Sequence, residues 1–317
     1  MRLVSLDLQN ICGFRRAFFT FDPQLNMLFA PNGAGKSNTL NIIRILCSPN
    51  QFMGRDFSLY FRRMILHEDY DPTYTSFSWD GFVGTMRAIG TFDVNGESKE
   101  VVLEVDPQIA KKLEQAAQNS SRVEEYVELS SKIGIIKNEL PSSQLSHCFY
   151  ADADNPSNMA KFQLNSEAAD KFLDIAEGVF GYECGLEKTV KEYDKDEMKY
   201  AIYFTDFVMI KRDDGLPIRV HYRRMSEGER KIATLIKQMV TPSQYNNFDI
   251  FMIDDIDRHV YVRRHAKMVD KIREHFANKQ IIATTHSAVL IGCDNIPAYL
   301  LEKNLIDVIK IRKSASR

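Results

Sequence analysis

The chain opens with a period of two. In "MRLVSLDLQN" apolar and polar residues alternate, as they do along a strand with one buried face. "QLNMLFA" follows as a short, largely apolar run of the kind that fills a fully buried strand. The period then changes. "KSNTLNIIRILC" places Leu40, Ile43 and Leu46 on one side of a helix. From Phe77 to Val105, "FSWDGFVGTMRAIGTFDVNGESKEVVLEV" returns to alternation, and "VNGES" is a hairpin turn, so an antiparallel sheet is expected. Pro107 to Leu140 reads as two helices meeting at Asn119-Ser120. "NSEAADKFLDIAEGVFGYE" reads as a helix capped at Asn165 or Ser166. "KYAIYFTDFVMIKRDDGLPIRVHYRR" reads as a hairpin turning at Asp213–Gly215. "RRMSEGERKIATLIKQM" reads as an amphipathic helix with Ile232, Leu235 and Ile236 inward. Two buried strands close the pattern, Ile250 to Ile253 and "KQIIATT".

Strands and helices alternate at both ends of the chain, which makes the fold class α/β. At 317 residues, 44% of them hydrophobic, there is enough chain for a sizeable core and for two lobes. The net charge of -2 excludes a polycation, so any nucleic-acid contact must be a local basic patch. Five scattered cysteines with no metal or redox spacing point to a reducing cytosol without disulfides. No run approaches the length of a membrane span and no signal core opens the chain, so the expected location is cytoplasmic, with no membrane partner.

The chemistry concentrates where the period changes. "APNGAGKSN" joins the second strand to the first helix, and Asn32, Gly33, Ala34, Gly35, Lys36, Ser37 and Asn38 form a phosphate-binding loop. Such a loop turns backbone N–H groups inward around phosphate oxygens, and side chains at the glycines would obstruct it. Lys36 is expected to reach the β- and γ-phosphates of a nucleotide, and the Ser37 hydroxyl to ligate Mg²⁺. The pattern lacks only its first glycine, where a small residue suffices and Ala30 stands.

Three further stretches have two readings each. "IDD" ends a buried strand and presents Asp254 as a metal carboxylate and Asp255 as the base that polarises water, or it is an acidic turn. His286 in "TTHS" contacts a γ-phosphate, or caps the next helix. Ser226 and Gly228 leave a helix N-terminus open to an anion, or form an ordinary cap. The order of the four stretches joins them.

Phosphate loop, S-x-G-E helix, apolar-Asp-Asp and T-T-H resemble, in that order, the ATP-binding-cassette ATPases, and within them the RecF/SMC/OLD branch. The resemblance covers the first sixty or so residues and the last hundred. "LVSLDLQNICGFRRAFFTFDPQLNMLFAPNGAGKSN" is similar to that branch's opening, "MSEGER" to its signature, "IDD" to the RecF form of Walker B, and "TTHS" to the OLD type. It implies one discontinuous head over 1–317: an N-terminal lobe over 1–105 with an antiparallel β lobe, a short helical insertion over 106–140 and a C-terminal lobe over 141–317, around a mixed or parallel core sheet. It also implies a slow, Mg²⁺-dependent ATP hydrolase. One copy contributes Lys36, Ser37, Asp254, Asp255 and His286, and a second copy covers the γ-phosphate with Ser226 and Gly228. Asp255 is one methylene shorter than the glutamate of other branches. The glutamine loop has two candidates, Gln51 and the strand "HCFYADADN" with Asp152 and Asp154.

The functional expectation is a homodimer around ATP that controls a separate effector, a nuclease or toxin, in an anti-phage defence complex. About thirty residues follow His286, too few for an attached nuclease. A RecF-like repair ATPase is the alternative. Its DNA contacts would come from Arg219, Arg223, Arg224, Arg230 and Lys231, from Arg258, Arg263, Arg264 and Lys267, and from the tail "KIRKSASR". An ATP sensor with little hydrolysis is the third reading. Unlike a long-tethered relative, the 106–140 segment carries no sustained heptads, which leaves a short arm or a packed helical subdomain.

Overall fold

A computed structural model describes residues 1–11, 14–31, 34–47, 86–105, 112, 128, 134–137, 148–152, 164–194, 199–213, 216–241, 249–291, 298–301 and 309–311. The opening alternation forms β1 (Arg2–Ile11), which turns back into β2 (Phe14–Thr20). Leu3 and Leu6 are both buried although three residues apart. A register shift between Leu3 and Ser5 absorbs the odd spacing and returns Leu6 and Leu8 to the inner face. On the other edge of β1 lies β4 (Met86–Val94), followed by β5 (Glu97–Val105). Their turn is Asn95-Gly96, both at positive φ, 55° and 89°, as a tight hairpin with the right twist requires.

This first sheet ends in β6 (Gly134–Lys137), paired antiparallel with β5. The helical pattern expected over 106–140 therefore fails at "GIIK". Glycine followed by two β-branched residues is poor helix material, and the open edge of β5 provides a ladder for it. Within the expected insertion only Lys112 and Glu128 are otherwise described, both helical.

The second sheet has the order β14-β13-β3-β12-β11-β7. Its strands are β3 (Leu25–Phe29), β7 (Cys148–Asp152), β11 (Ile250–Asp254), β12 (Gln280–Thr285), β13 (Ala298–Leu300) and β14 (Ile309–Ile311). All neighbours are parallel except β13 and β14. Every residue of β11 and β12 is buried, as expected of strands covered on both faces. The third sheet, β10-β9-β8, contains the expected hairpin: β9 (Lys199–Asp213) and β10 (Leu216–His221) pair from Asp213↔Leu216 onward. The partner β8 (Glu183–Asp194) completes it.

Helices fill the space between and outside the sheets. α1 (Lys36–Cys47) packs against β4 and β5 on one side and β7, β11 and β12 on the other. Leu40, Ile43 and Leu46 join Leu6, Phe19, Ile250, Met252 and Ile282 in one apolar cluster. The opposite face of the core sheet, with Met27, Phe251, Ile253 and Ile281, is covered by α2 (Ser166–Phe180), α3 (Glu227–Val240) and α4 (His265–His275). Asn165 is the cap of α2, accepting from the Ala168 N–H at 2.9 Å. Gln280 ties the first sheet to the core sheet. Its amide accepts from Leu3 N–H (2.7 Å) and donates to the carbonyls of Leu3 (2.8 Å) and Asp22 (2.9 Å). Among the described residues no helix is long and apolar enough to cross a membrane.

Candidate nucleotide-binding site

Three neighbouring strands of the core sheet, β3, β12 and β11, end at the same edge. Side by side in parallel, they deliver their C-terminal residues to one place, the position where open α/β sheets bind ligands. β3 runs into the loop that leads to Gly35. Gly35, at φ 92°, turns the chain from loop into α1 in a conformation that a side chain would strain. Thr39 then closes the first helical turn, its N–H and hydroxyl both donating to the Gly35 carbonyl at 2.8 and 2.9 Å. The first-turn N–H groups of α1 have no partner within the helix, which makes this end an anion cradle.

Lys36 begins that turn, buried. Its Nζ donates to the carbonyls of Ala30 (3.1 Å) and Pro31 (3.4 Å) and to His286 Nε2 (2.9 Å). Burial pulls the ammonium below its ordinary pKa, although Asp255, Asp254 and Asp257 pull the other way. Ala30 answers for the missing glycine. Its carbonyl is the part that Lys36 uses, and its side chain is packed in the core at 1% exposure.

His286 follows directly on β12. Its Nε2 also lies 3.4 Å from Asp255 Oδ1, and its N–H donates to Asp257 Oδ1 at 3.2 Å. With Lys36 as donor, Nε2 is the unprotonated ring nitrogen. Asp255 stands just past β11 at φ 47°, in the left-handed region that non-glycine residues rarely occupy. Its Oδ2 pairs with Arg258 at 3.5 Å, while Oδ1 is buried and accepts no hydrogen bond among the described residues. Burial, reinforced by Asp254, raises its pKa above the ordinary carboxylate range against the pull of His286, Lys36 and Arg258. Asp255, Asp257, Arg258 and His286 line a cleft of about 320 Å³.

An AAA domain profile matches residues 5–239, more than half of the 317 residues. The chain belongs to the AAA domain family. No protein with a curated description matches it. Its fold is that of SMC head domains, mixed α/β as the resemblance implied. An SMC head domain from Thermotoga maritima shares 15% identity and a TM-score of 0.54, over 99% of this chain and 100% of that one. An SMC head bound to the C-winged helix domain of ScpA shares 12%, with a TM-score of 0.58 over 98% of each chain. An SMC head with an extended coiled coil, bound to the C-terminal domain of ScpA and derived from Pyrococcus furiosus, shares 13% and 0.52 over 98% and 96%. At these identities the likeness is one of fold.

The structure brings Lys36, inside the matched range, together with Asp255 and His286 beyond it, with Asp254 buried at the end of β11 beside them. Ser37 and Asn38 lie half-buried in the first turn of α1, and Ala34 is buried before it. Asn32 and Gly33 lie outside the described residues, as do Gln51 and Asp154; the backbone of Asp152 pairs beside Asp254 across β7 and β11. Ser226 and Gly228 are not brought to the Lys36 cluster. Ser226 caps α3 and shares a capping box with Glu229, whose carboxylate accepts from the Ser226 N–H and hydroxyl at 2.9 and 3.0 Å. Gly228 faces His259 in the loop that follows Asp255.

A hydroxyl and a carboxylate, Ser37 and Asp254, are the hard oxygen donors that Mg²⁺ prefers, and the orphaned Asp255 Oδ1 is a buried acceptor awaiting a donor. The residues present therefore fit an Mg²⁺–nucleotide. The sequence pattern does not single out two members of the site. Arg258 stands there only as one basic residue among several, yet it contacts Asp255. Thr284 stands there only as part of a buried strand, yet its hydroxyl donates to Asp254. Nothing local in the sequence signals either contact.

Proposed function

We propose that this protein is an Mg²⁺-dependent ATP hydrolase whose heads pair around ATP and thereby switch a separate partner protein. The convergence of Lys36, His286 and the Asp254–Asp255 pair on adjacent strand exits carries the reading. Lys36 leaves the carbonyls of Ala30 and Pro31 for the β- and γ-phosphates, and the phosphate-loop N–H groups enclose them. Ser37 and Asp254 hold Mg²⁺, which when bound neutralises phosphate charge. Asp255 orients the attacking water and takes its proton, a task suited to a carboxylate with a raised pKa. His286, released from Lys36, hydrogen-bonds the γ-phosphate. Ser226 and Gly228 of a second copy close the site with the positive end of α3. Exposed apolar residues on segments leaving the site, Tyr261, Val262 and Val289, support pairing there.

The SMC heads bound to ScpA domains support a separate partner protein; the "TTHS" resemblance favours an anti-phage defence complex with a nuclease or toxin as that partner. Repair on DNA is the second reading, favoured by the exposed Arg219, Arg223 and Arg224 before α3 and by Arg263 and Lys267. Steady-state ATPase rate against protein concentration, with and without linear double-stranded DNA, tests both. The expected result is a rate that rises faster than linearly and ignores DNA; stimulation by DNA favours repair. Lys36→Ala is expected to weaken ATP binding by at least about 100-fold, since a buried charged partner of the phosphates is lost. Unchanged ATP affinity in that variant would overturn the site.

A further inference from the structure

β12 is the middle of the three strands that meet at the site, and Thr284 lies one step beyond its last ladder pair with β11, Ile253↔Ala283. The residue is 0% exposed. Its hydroxyl donates to Asp254 Oδ1 at 2.5 Å and accepts from the Asp255 N–H at 2.7 Å, and its carbonyl accepts from the Ile256 N–H at 3.0 Å. One residue thus holds three consecutive residues of the neighbouring strand exit. A valine would fill the same volume and suit a buried strand at least as well, so the hydroxyl is not there for packing. Its two bonds do what packing cannot. They set the Asp254 carboxylate in one orientation, and they hold the Asp255 backbone in its left-handed conformation, which carries a strain cost if unsupported.

We propose that Thr284 is a positioning residue that aims Asp254 at the cation and Asp255 at the attacking water through these two hydrogen bonds. The inference rests on the nucleotide-site reading above. Thr284 touches neither phosphate nor metal, so its effect is transmitted through the carboxylates it holds. The same strand presents His286 two residues later, so β12 spaces all three groups from one rigid element.

Thr284→Val keeps the volume and removes both bonds, whereas Thr284→Ser keeps the hydroxyl. The probe is a fluorescent ATP analogue titrated with Mg²⁺, which reads the cation midpoint of nucleotide binding without hydrolysis. Thr284→Val is expected to raise that midpoint about 10- to 100-fold and to lower kcat by a similar factor, the usual scale for groups that orient metal ligands. Thr284→Ser is expected to restore both. A Val variant with the wild-type midpoint overturns the inference, and so does a Ser variant as impaired as Val, which would assign the effect to packing. If Thr284→Val does not fold, the Ser variant decides alone: wild-type behaviour supports the hydroxyl, impairment overturns it. Wild-type protein that binds no analogue at any Mg²⁺ concentration overturns the site reading and this inference with it. Wild-type binding left unchanged in the Val variant overturns the inference alone.

Discussion

The body of the core sheet and its exit edge obey opposite rules within a few residues of chain. From Ile250 to Ile253 every side chain is apolar and fully buried, split between two clusters on the two faces. One residue later the same strand carries Asp254, then Asp255 in a left-handed conformation with a raised pKa and an orphaned oxygen. β12 repeats the change, from Ile281, Ile282 and Ala283 to Thr284 and His286. The body gains stability from burial, while the edge gives some of it up to hold charges close together. That division lets the site be strained without endangering the fold, because the strands that present it are anchored on both faces.

The contrast breaks first in the body. Phe251→Ala, which removes a ring packed against Phe276 at 5.3 Å between centroids, is expected to cost about 3–5 kcal/mol in chemical denaturation. A loss below about 1 kcal/mol would mean the body is less closely packed than the burial implies.

At the edge the sign reverses. Asp255→Asn is expected to lower kcat by about 10²-fold or more, with ATP binding retained and an ATP-bound dimer accumulating in light scattering. It should also leave stability at neutral pH unchanged or higher. A carboxyl whose pKa is raised on folding favours the native state only at low pH, below its unfolded value. That contribution is lost as pH rises through the folded pKa, so the neutral amide removes a penalty. Hydrolysis at the wild-type rate would dismiss Asp255 as the base, and a marked loss of stability would break the division between body and edge.

The smallest effect lies on the solvent side of the helices that cover the core sheet. Asp174 on α2 accepts from Lys271 (2.8 Å) and His275 (2.7 Å) on α4. Burial pushes its pKa up, but those two hydrogen bonds outweigh it and hold the carboxyl below its ordinary range. Its contribution is therefore present above the ordinary carboxylate range and lost as pH falls through the lowered pKa. Because the group is more than a third exposed, Asp174→Asn is expected to cost only about 0.2–1 kcal/mol at pH 7, the scale of a solvent-screened pair. The difference from wild type should vanish in acid; a difference that persists there would assign it to something other than charge.

Much of this was legible in the chain itself. The helix that starts at Lys36, the apolar runs before Asp254 and before Thr284, the Asn95-Gly96 turn and the hairpin of β9 and β10 are all local patterns, set by periods and turn chemistry that need no distant partner. Residues 134–137 depart from the helical pattern read across 107–140, because weak local helix propensity leaves them free to pair with the open edge of β5. Thr284 and Arg258 were invisible for a related reason. Their meaning lies in contacts with Asp254, thirty residues away, and with Asp255 across a turn, not in the residues themselves.

What the sequence by itself determined was which elements form and which chemical groups sit at their ends, because hydrophobic period and turn residues act over a few neighbours. Only the tertiary structure decided that β12 lies between β3 and β11. Parallel neighbours need long crossovers, so their order in space is free of their order in the chain, and it is that order which sets Lys36 against His286 and Thr284 against Asp254.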